Sequence, residues 1–253
     1  MLVLLLSTLS VLVSISMLNS VYAQENMTNK NITNQEFKFK YKQGAGTLGQ
    51  DHNKTVLYNS DSNQLTVIGT NYSYGKQLST IIEHDLKNMI LENNFFKMPK
   101  AWPTQLILAE YNSYNLTAII NNQSNTVYWI EEFTSAPNEI YEIGNKIEKI
   151  SSPILYLSTN KDIYNINEVI NLTITNYGDK ILQFADKNFG LRILNSDSGE
   201  IVCCTYNYSV STELNKSESK VILFNNTSNL NKGKYIGNIV SDSVFASTNF
   251  RVQ

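Results

Sequence analysis

Phe37-Lys38-Phe39-Lys40-Tyr41-Lys42 alternates aromatic and cationic side chains with a period of two. Successive side chains on a strand point to opposite faces, so the stretch predicts a half-buried strand with its lysines in water. Downstream, Thr55 to Tyr58 and Gln64 to Tyr72 flank the turn Asn59-Ser60-Asp61-Ser62-Asn63 and predict a β-hairpin. The period then changes. Leu78, Ile81, Ile82, Leu86, Met89 and Ile90 recur at helical spacing between Lys76 and Phe96, predicting the longest helix, which ends near Asn93-Asn94. Leu106 to Ile120 and Thr126 to Phe133 predict a second hairpin about Asn121-Asn122-Gln123-Ser124. Pro137 opens a helix with Ile140, Ile143, Ile147 and Ile150 on one stripe and Thr134 or Ser135 as cap. Residues 37–150 therefore read as an α+β antiparallel-sheet domain with one long helix and one C-terminal helix.

Ser151-Ser152-Pro153 should stop that last helix, because the residue before a proline is disfavoured in helical geometry. Beyond it the helical period is lost. Short strands are predicted at 154–158, 169–175, 180–184, 191–194, 201–206, 220–224, 235–240 and 245–252, separated by turn clusters such as Asn176-Tyr177-Gly178-Asp179. Regular short strands of this kind make residues 151–253 a β-sandwich, joined to the first module by a short linker and expected to fold by itself.

At the other end, the apolar run from Met1 to Ala23 predicts a secretory signal peptide cut before Gln24, with an uncleaved N-terminal anchor as the alternative, since the run approaches the roughly 20 residues that span a bilayer. Residues 24–36 are polar and aperiodic and read as a flexible leader. The expected location is secreted or cell-envelope, outside the cytoplasm, with membrane contact only through a retained N-terminal segment. A formal net charge of -2, from 20 basic and 22 acidic residues without blocks, leaves no basic footprint for nucleic acid. In an exported chain Asn53, Asn71, Asn115, Asn171, Asn207, Asn215 and Asn225 head Asn-x-Ser/Thr sequons and are candidate glycan acceptors.

Two family resemblances follow. The glycine loop after the first strand, the hairpin, the helix ending in Asn93-Asn94-Phe95-Phe96-Lys97-Met98 and the strand Thr126-Val127-Tyr128-Trp129 leading to Pro137 resemble a family of small secreted domains of unknown function. Tyr164, Glu168-Val169-Ile170-Asn171-Leu172, Thr175-Asn176-Tyr177-Gly178, Leu191-Arg192-Ile193, Asp197-Ser198-Gly199 and Gly233-Lys234-Tyr235 are similar to immunoglobulin-like modules of the BsuPI proteinase-inhibitor type. The second resemblance implies an immunoglobulin-like sandwich and, as an inherited activity, proteinase inhibition.

Few motifs suggest chemistry. Gly44-Ala45-Gly46-Thr47-Leu48-Gly49 fits G-x-G-x-x-G but leads into a strand, so no helix N-terminus would hold a phosphate, and no cofactor is expected. Cys203 and Cys204 are the only cysteines. As strand neighbours they read as one core and one surface thiol, with a vicinal disulfide or a covalent dimer as alternatives. His84-Asp85 lies within the long helix, where adjacent residues do not face each other. Asp179, Asp186 and Asp197 sit near turns without the dense spacing of a calcium loop, so no metal is expected. Trp102, Tyr111, Tyr114, Tyr128 and Trp129 cluster about the second hairpin and are candidate aromatics for gripping a protein or glycan. The function expected is a non-enzymatic binding or structural protein of the envelope or extracellular space, with an unidentified protein or glycan at the cell surface as partner. A secreted proteinase inhibitor acting through the loop Asn207 to Ser219 is the alternative. An enzyme of unrecognised type using His52 or His84 comes third.

Overall fold

The computed structural model describes residues 36–45, 54–102, 112–130, 136–204, 211–225 and 230–253. Strand β1 (Phe37–Ala45) buries Phe37, Phe39 and Tyr41 and exposes Lys40 and Lys42, as its alternation predicts. It pairs antiparallel with β2 (Lys54–Asn59) on one side and β5 (Asn112–Ile120) on the other. Strands β3 (Gln64–Ile68) and β4 (Tyr72–Gln77) extend the sheet beyond β2, and β6 (Gln123–Ile130) extends it beyond β5. The β5–β6 turn is shorter than expected. Asn121 and Asn122 both adopt positive φ, 49° and 68°, so two residues close the hairpin and Gln123 and Ser124 already belong to β6.

Two helices cover the buried face. Helix α1 (Thr80–Glu92) begins at Ser79, whose hydroxyl accepts a hydrogen bond from the Ile82 amide, and buries Leu86 and Ile90. Helix α2 (Asn138–Ile150) buries Ile140, Ile143, Ile147 and Ile150. Gly144 lets α2 approach closely, since a Cβ there would lie 3.2 Å from the Trp129 ring. Pro137 is itself the N-cap residue, without a side-chain cap; Thr134 and Ser135 lie outside the described residues.

The sequence reading ran one strand from Gln64 to Tyr72 and started the helix at Lys76. The structure corrects both limits. The Gly69 amide donates to the Tyr72 carbonyl at 2.9 Å, closing a tight turn, and β4 doubles back along β3. Leu78 falls before the helix and is buried in the core.

In the second half, β7 (Leu155–Thr159), β9 (Ile170–Asn176) and β14 (Ser219–Phe224) form a three-stranded sheet in the order β14-β9-β7. The remaining strands are β8 (Ile163–Tyr164), β10 (Leu182–Phe184), β11 (Arg192–Asn195), β12 (Ile201–Cys203), β13 (Thr212–Leu214), β15 (Gly233–Ser241) and β16 (Val244–Val252). The three-stranded sheet packs over β15, where Gly237 leaves room for Leu172 and Leu157. Most of the other strands join the first half: one sheet runs β12-β11-β15-β16-β4-β3-β2-β1-β5-β6. The fold is thus mostly antiparallel β-sheet with two short helices.

The seam of this sheet is β4 against β16, in register from Val244↔Lys76 to Thr248↔Tyr72. On one face the hydroxyls of Ser73 and Ser247 are 2.6 Å apart, and Phe245 covers Gly75, where a Cβ would clash with its ring. On the other face the Tyr74 hydroxyl donates to the Ser151 carbonyl, the Lys76 ammonium to the Ser152 carbonyl, and the rings of Tyr72, Tyr74 and Tyr156 pack together.

Burial raises the pKa of the phenols of Tyr58, Tyr72, Tyr74, Tyr156 and Tyr164 above the ordinary value near 10. Unfolded tyrosines lose their protons first, so above pH 10 the native state holds more protons than the unfolded state and stability falls as pH rises. Lys76 acts oppositely: burial lowers its pKa, so its contribution to stability improves as pH rises towards 10.5. One lysine against five phenols leaves a net loss. Urea titrations between pH 8 and 11.5 should show falling stability above pH 10, with late phenolate absorbance appearing together with unfolding; phenolates forming in a folded chain would contradict this.

Candidate functional site

Near the ends of β1, β2, β5 and β6 the large sheet carries a cleft of about 340 Å³, lined by residues of both its faces. Four of its lining residues form one row across the strands. Lys42 is the register partner of Thr55 and of Asn115, and Asn115 is the partner of Tyr128. Directly paired residues share a face, so these four side chains stand side by side. Gly44 and Ser113, also partners, lie on the same face one step further, and the Ser113 hydroxyl donates to the Gly44 carbonyl at 3.5 Å. Gln43, Lys54 and Tyr114 complete the lining. Lys54 is already paired with Glu148 of α2. The side chains of Lys42, Thr55 and Asn115 make no hydrogen bond or ion pair with the described residues.

The structure divides the candidate aromatics. Tyr128 and Tyr114 line the cleft, half-buried. Trp129, by contrast, is 1% exposed, stacked on Tyr114 at 5.2 Å and tilted against Tyr41 at 6.2 Å. It is a core residue, because alternation on β6 sends it inward with Val127. Trp102 packs half-buried against the core, and Tyr111 lies outside the described residues.

The other candidates are scattered. Cys203 and Cys204 are joined by a vicinal disulfide at the opposite edge of the sheet, both half-buried, with Cys204 at φ 70°. His84 is exposed on α1 and bonded to Asn88, while His52 lies outside the described residues. The Asp186 carboxylate is 5% exposed and accepts the amides of Asn188 and Gly190, so it ties its own turn; Asp179 and Asp197 are exposed. Among the described residues no three His, Cys, Asp or Glu side chains group as a metal site. Asn71, Asn215 and Asn225 are exposed, Asn115 and Asn171 are half-buried within strands, and Asn53 and Asn207 lie outside the described residues, as does most of the glycine loop. The loop proposed for protease contact is partly regular structure: β13 pairs with β10 inside it, and Asn215 to Glu218 form a tight turn closed by the Glu218 carboxylate.

The cleft was not legible in the sequence, because Thr55 and Ser113 carry no signal of their own, Asn115 reads only as a sequon, and the three meet only through strand register. The sequence matches no protein-family model and no curated protein. Among the described residues no helix is long and apolar enough to cross a membrane, and Met1 to Ala23 lies outside them.

Proposed function

We propose that this chain is an exported, non-enzymatic binding protein of the envelope or extracellular space, and that the cleft at Lys42 is where it binds. The observation that carries the reading is the row Thr55–Lys42–Asn115, hydrogen-bonding side chains that form no hydrogen bond or ion pair with the described residues, held side by side by paired strands with Tyr128 beside Asn115. Strands hold side chains more rigidly than loops do, and a cleft of this volume lies within the range of small-molecule sites. Export rests on the apolar run before Gln24. The finer architecture belongs to the same proposal: residues 37–150 form an α+β unit that presents the cleft, and residues 151–253 an immunoglobulin-like unit that spaces or docks it. The layer β14-β9-β7 packed over β15 supports the second unit.

A glycan array probed with the full chain and with Ser113→Trp, which fills the cleft, tests this reading. Wild type should retain ligands that Ser113→Trp loses at unchanged melting temperature. Equal retention by both proteins would overturn the site. Turnover of any substrate in a hydrolase panel, abolished by His84→Ala or His52→Ala, would overturn the non-enzymatic reading.

A further inference from the structure

The charge of this nearly neutral chain is unevenly placed. No strand of the large sheet contains an Asp or Glu among the described residues. Lysines and arginines, in contrast, occupy its outer face in two groups, Lys38, Lys40 and Lys42 on β1 and Arg192, Lys234 and Arg251 on β11, β15 and β16. Helices α1 and α2 on the opposite side carry Glu83, Asp85, Glu92, Glu139, Glu142 and Glu148 against Lys87, Lys146 and Lys149.

The two basic groups do not act on one flat ligand. Adjacent strands rotate by roughly 20–25°, and four steps separate β1 from β16, so the two patches face directions about 80–100° apart. The β1 group is the one that reaches the cleft. Its lysines are spaced about 6.7 Å apart along the strand. Lys38 is neutralised by Glu36 and Asp61 at 2.9 and 3.1 Å. Lys40 and Lys42 are exposed and form no ion pair with the described residues. Among the described residues, positive charge without an ion-pair partner therefore lies at and beside the cleft, next to neutral donors and acceptors.

Resting on the binding role proposed above, we infer that the ligand is an acidic glycan, with Lys42 and Lys40 meeting its carboxylates and Thr55, Ser113 and Asn115 its hydroxyls. Hydroxyl and amide side chains both donate and accept, which suits sugar hydroxyls. A single-stranded nucleic acid would call for stacking aromatics along the track, and the row offers one tyrosine. A protein partner would call for an apolar or aromatic interface core, and the row is polar. An interfacial membrane site would need an apolar face beside its cations.

The test is calorimetry of the full chain with an oligogalacturonate and with its methyl ester, which keeps the backbone and removes the charge. The acid form should bind, more weakly as salt rises, and the ester should not. Lys40→Gln/Lys42→Gln should weaken binding roughly tenfold or more, Lys40→Arg/Lys42→Arg should retain it, and Lys216→Gln, exposed in the turn between β13 and β14, should leave it unchanged. Equal affinity for acid and ester, or an unchanged double variant, would overturn the inference. So would preference for phosphatidylglycerol vesicles or oligo-dT through the same lysines. Should neutral glycans bind in a way that Ser113→Trp abolishes and the lysine variants do not alter, the cleft stands and its acidic specificity falls; indifference to Ser113→Trp removes both.

Discussion

Asn176→Leu should destabilise the protein by about 3 kcal/mol or more. The residue is fully buried at the end of β9, and its amide nitrogen donates to the carbonyls of Lys180, Leu214 and Asn215 while its oxygen accepts the Gly178 amide. One side chain thus ties the β9 turn to the strand pair β10–β13. Leucine fills a similar volume but strands three acceptors and a donor, and a buried group without a partner costs about 1–3 kcal/mol. Asn176→Asp should be no better, since it keeps the acceptor, loses the donors and brings a negative charge against three carbonyls. Urea titration at constant m-value reads the loss; a change below about 1 kcal/mol would show that the network is not what holds this corner.

The second large effect concerns the seam. Expressed alone, residues 153–253 should self-associate, in contrast to the autonomous module that the linker Ser151-Ser152-Pro153 suggests. Removing the first half strips β4 from β16 and leaves Val244 to Thr248 as an unpaired edge, with only Arg251 and Val252 still covered by β8. An open, uncharged edge is a template for another strand, and a lysine on such an edge blocks it. The fragment should sediment as oligomers or aggregate, and Ser247→Lys, which puts a charge in the middle of that edge, should restore a monomer. A wild-type fragment that is monomeric and unfolds cooperatively would mean that the seam joins two units already complete.

The sequence made the strands legible where one face is apolar and the other polar. β1, β9, β15 and β16 follow from alternation, and the stripes of α1 and α2 from their isoleucines and leucines. Helix α2 ends at Ile150, just ahead of the Ser-Ser-Pro break. β4 was missed because its buried positions are the adjacent Tyr74 and Gly75, with Tyr72 and Lys76 half-buried, so its sequence shows no alternation of apolar and polar residues. β8 and β13 are too short to show a period, and β13 was hidden inside an apparently polar loop. The larger gap was topology. Local pattern says which face of β4 and β16 is buried but is silent on their pairing across 174 residues, as at Ser73 and Ser247. The candidate site suffered the same way: Lys42 and Tyr128 were visible as residue types, whereas their row depends on two strand pairings.

The continuous sheet also sets how the molecule would bear a pull. Strand β1 lies inside the sheet between β2 and β5, and β16 between β15 and β4. Every step from β1 through β2, β3 and β4 to β16 is antiparallel, each pair turned only about 20–25° by the sheet twist, and Phe37 and Val252 lie at opposite ends of the ladder so formed. Tension applied between them would slide neighbouring strands lengthwise, loading the bonds of each ladder together instead of opening them one after another. Forced unfolding is governed by the rate of escape from the native state, and a shear geometry of this kind keeps that rate low.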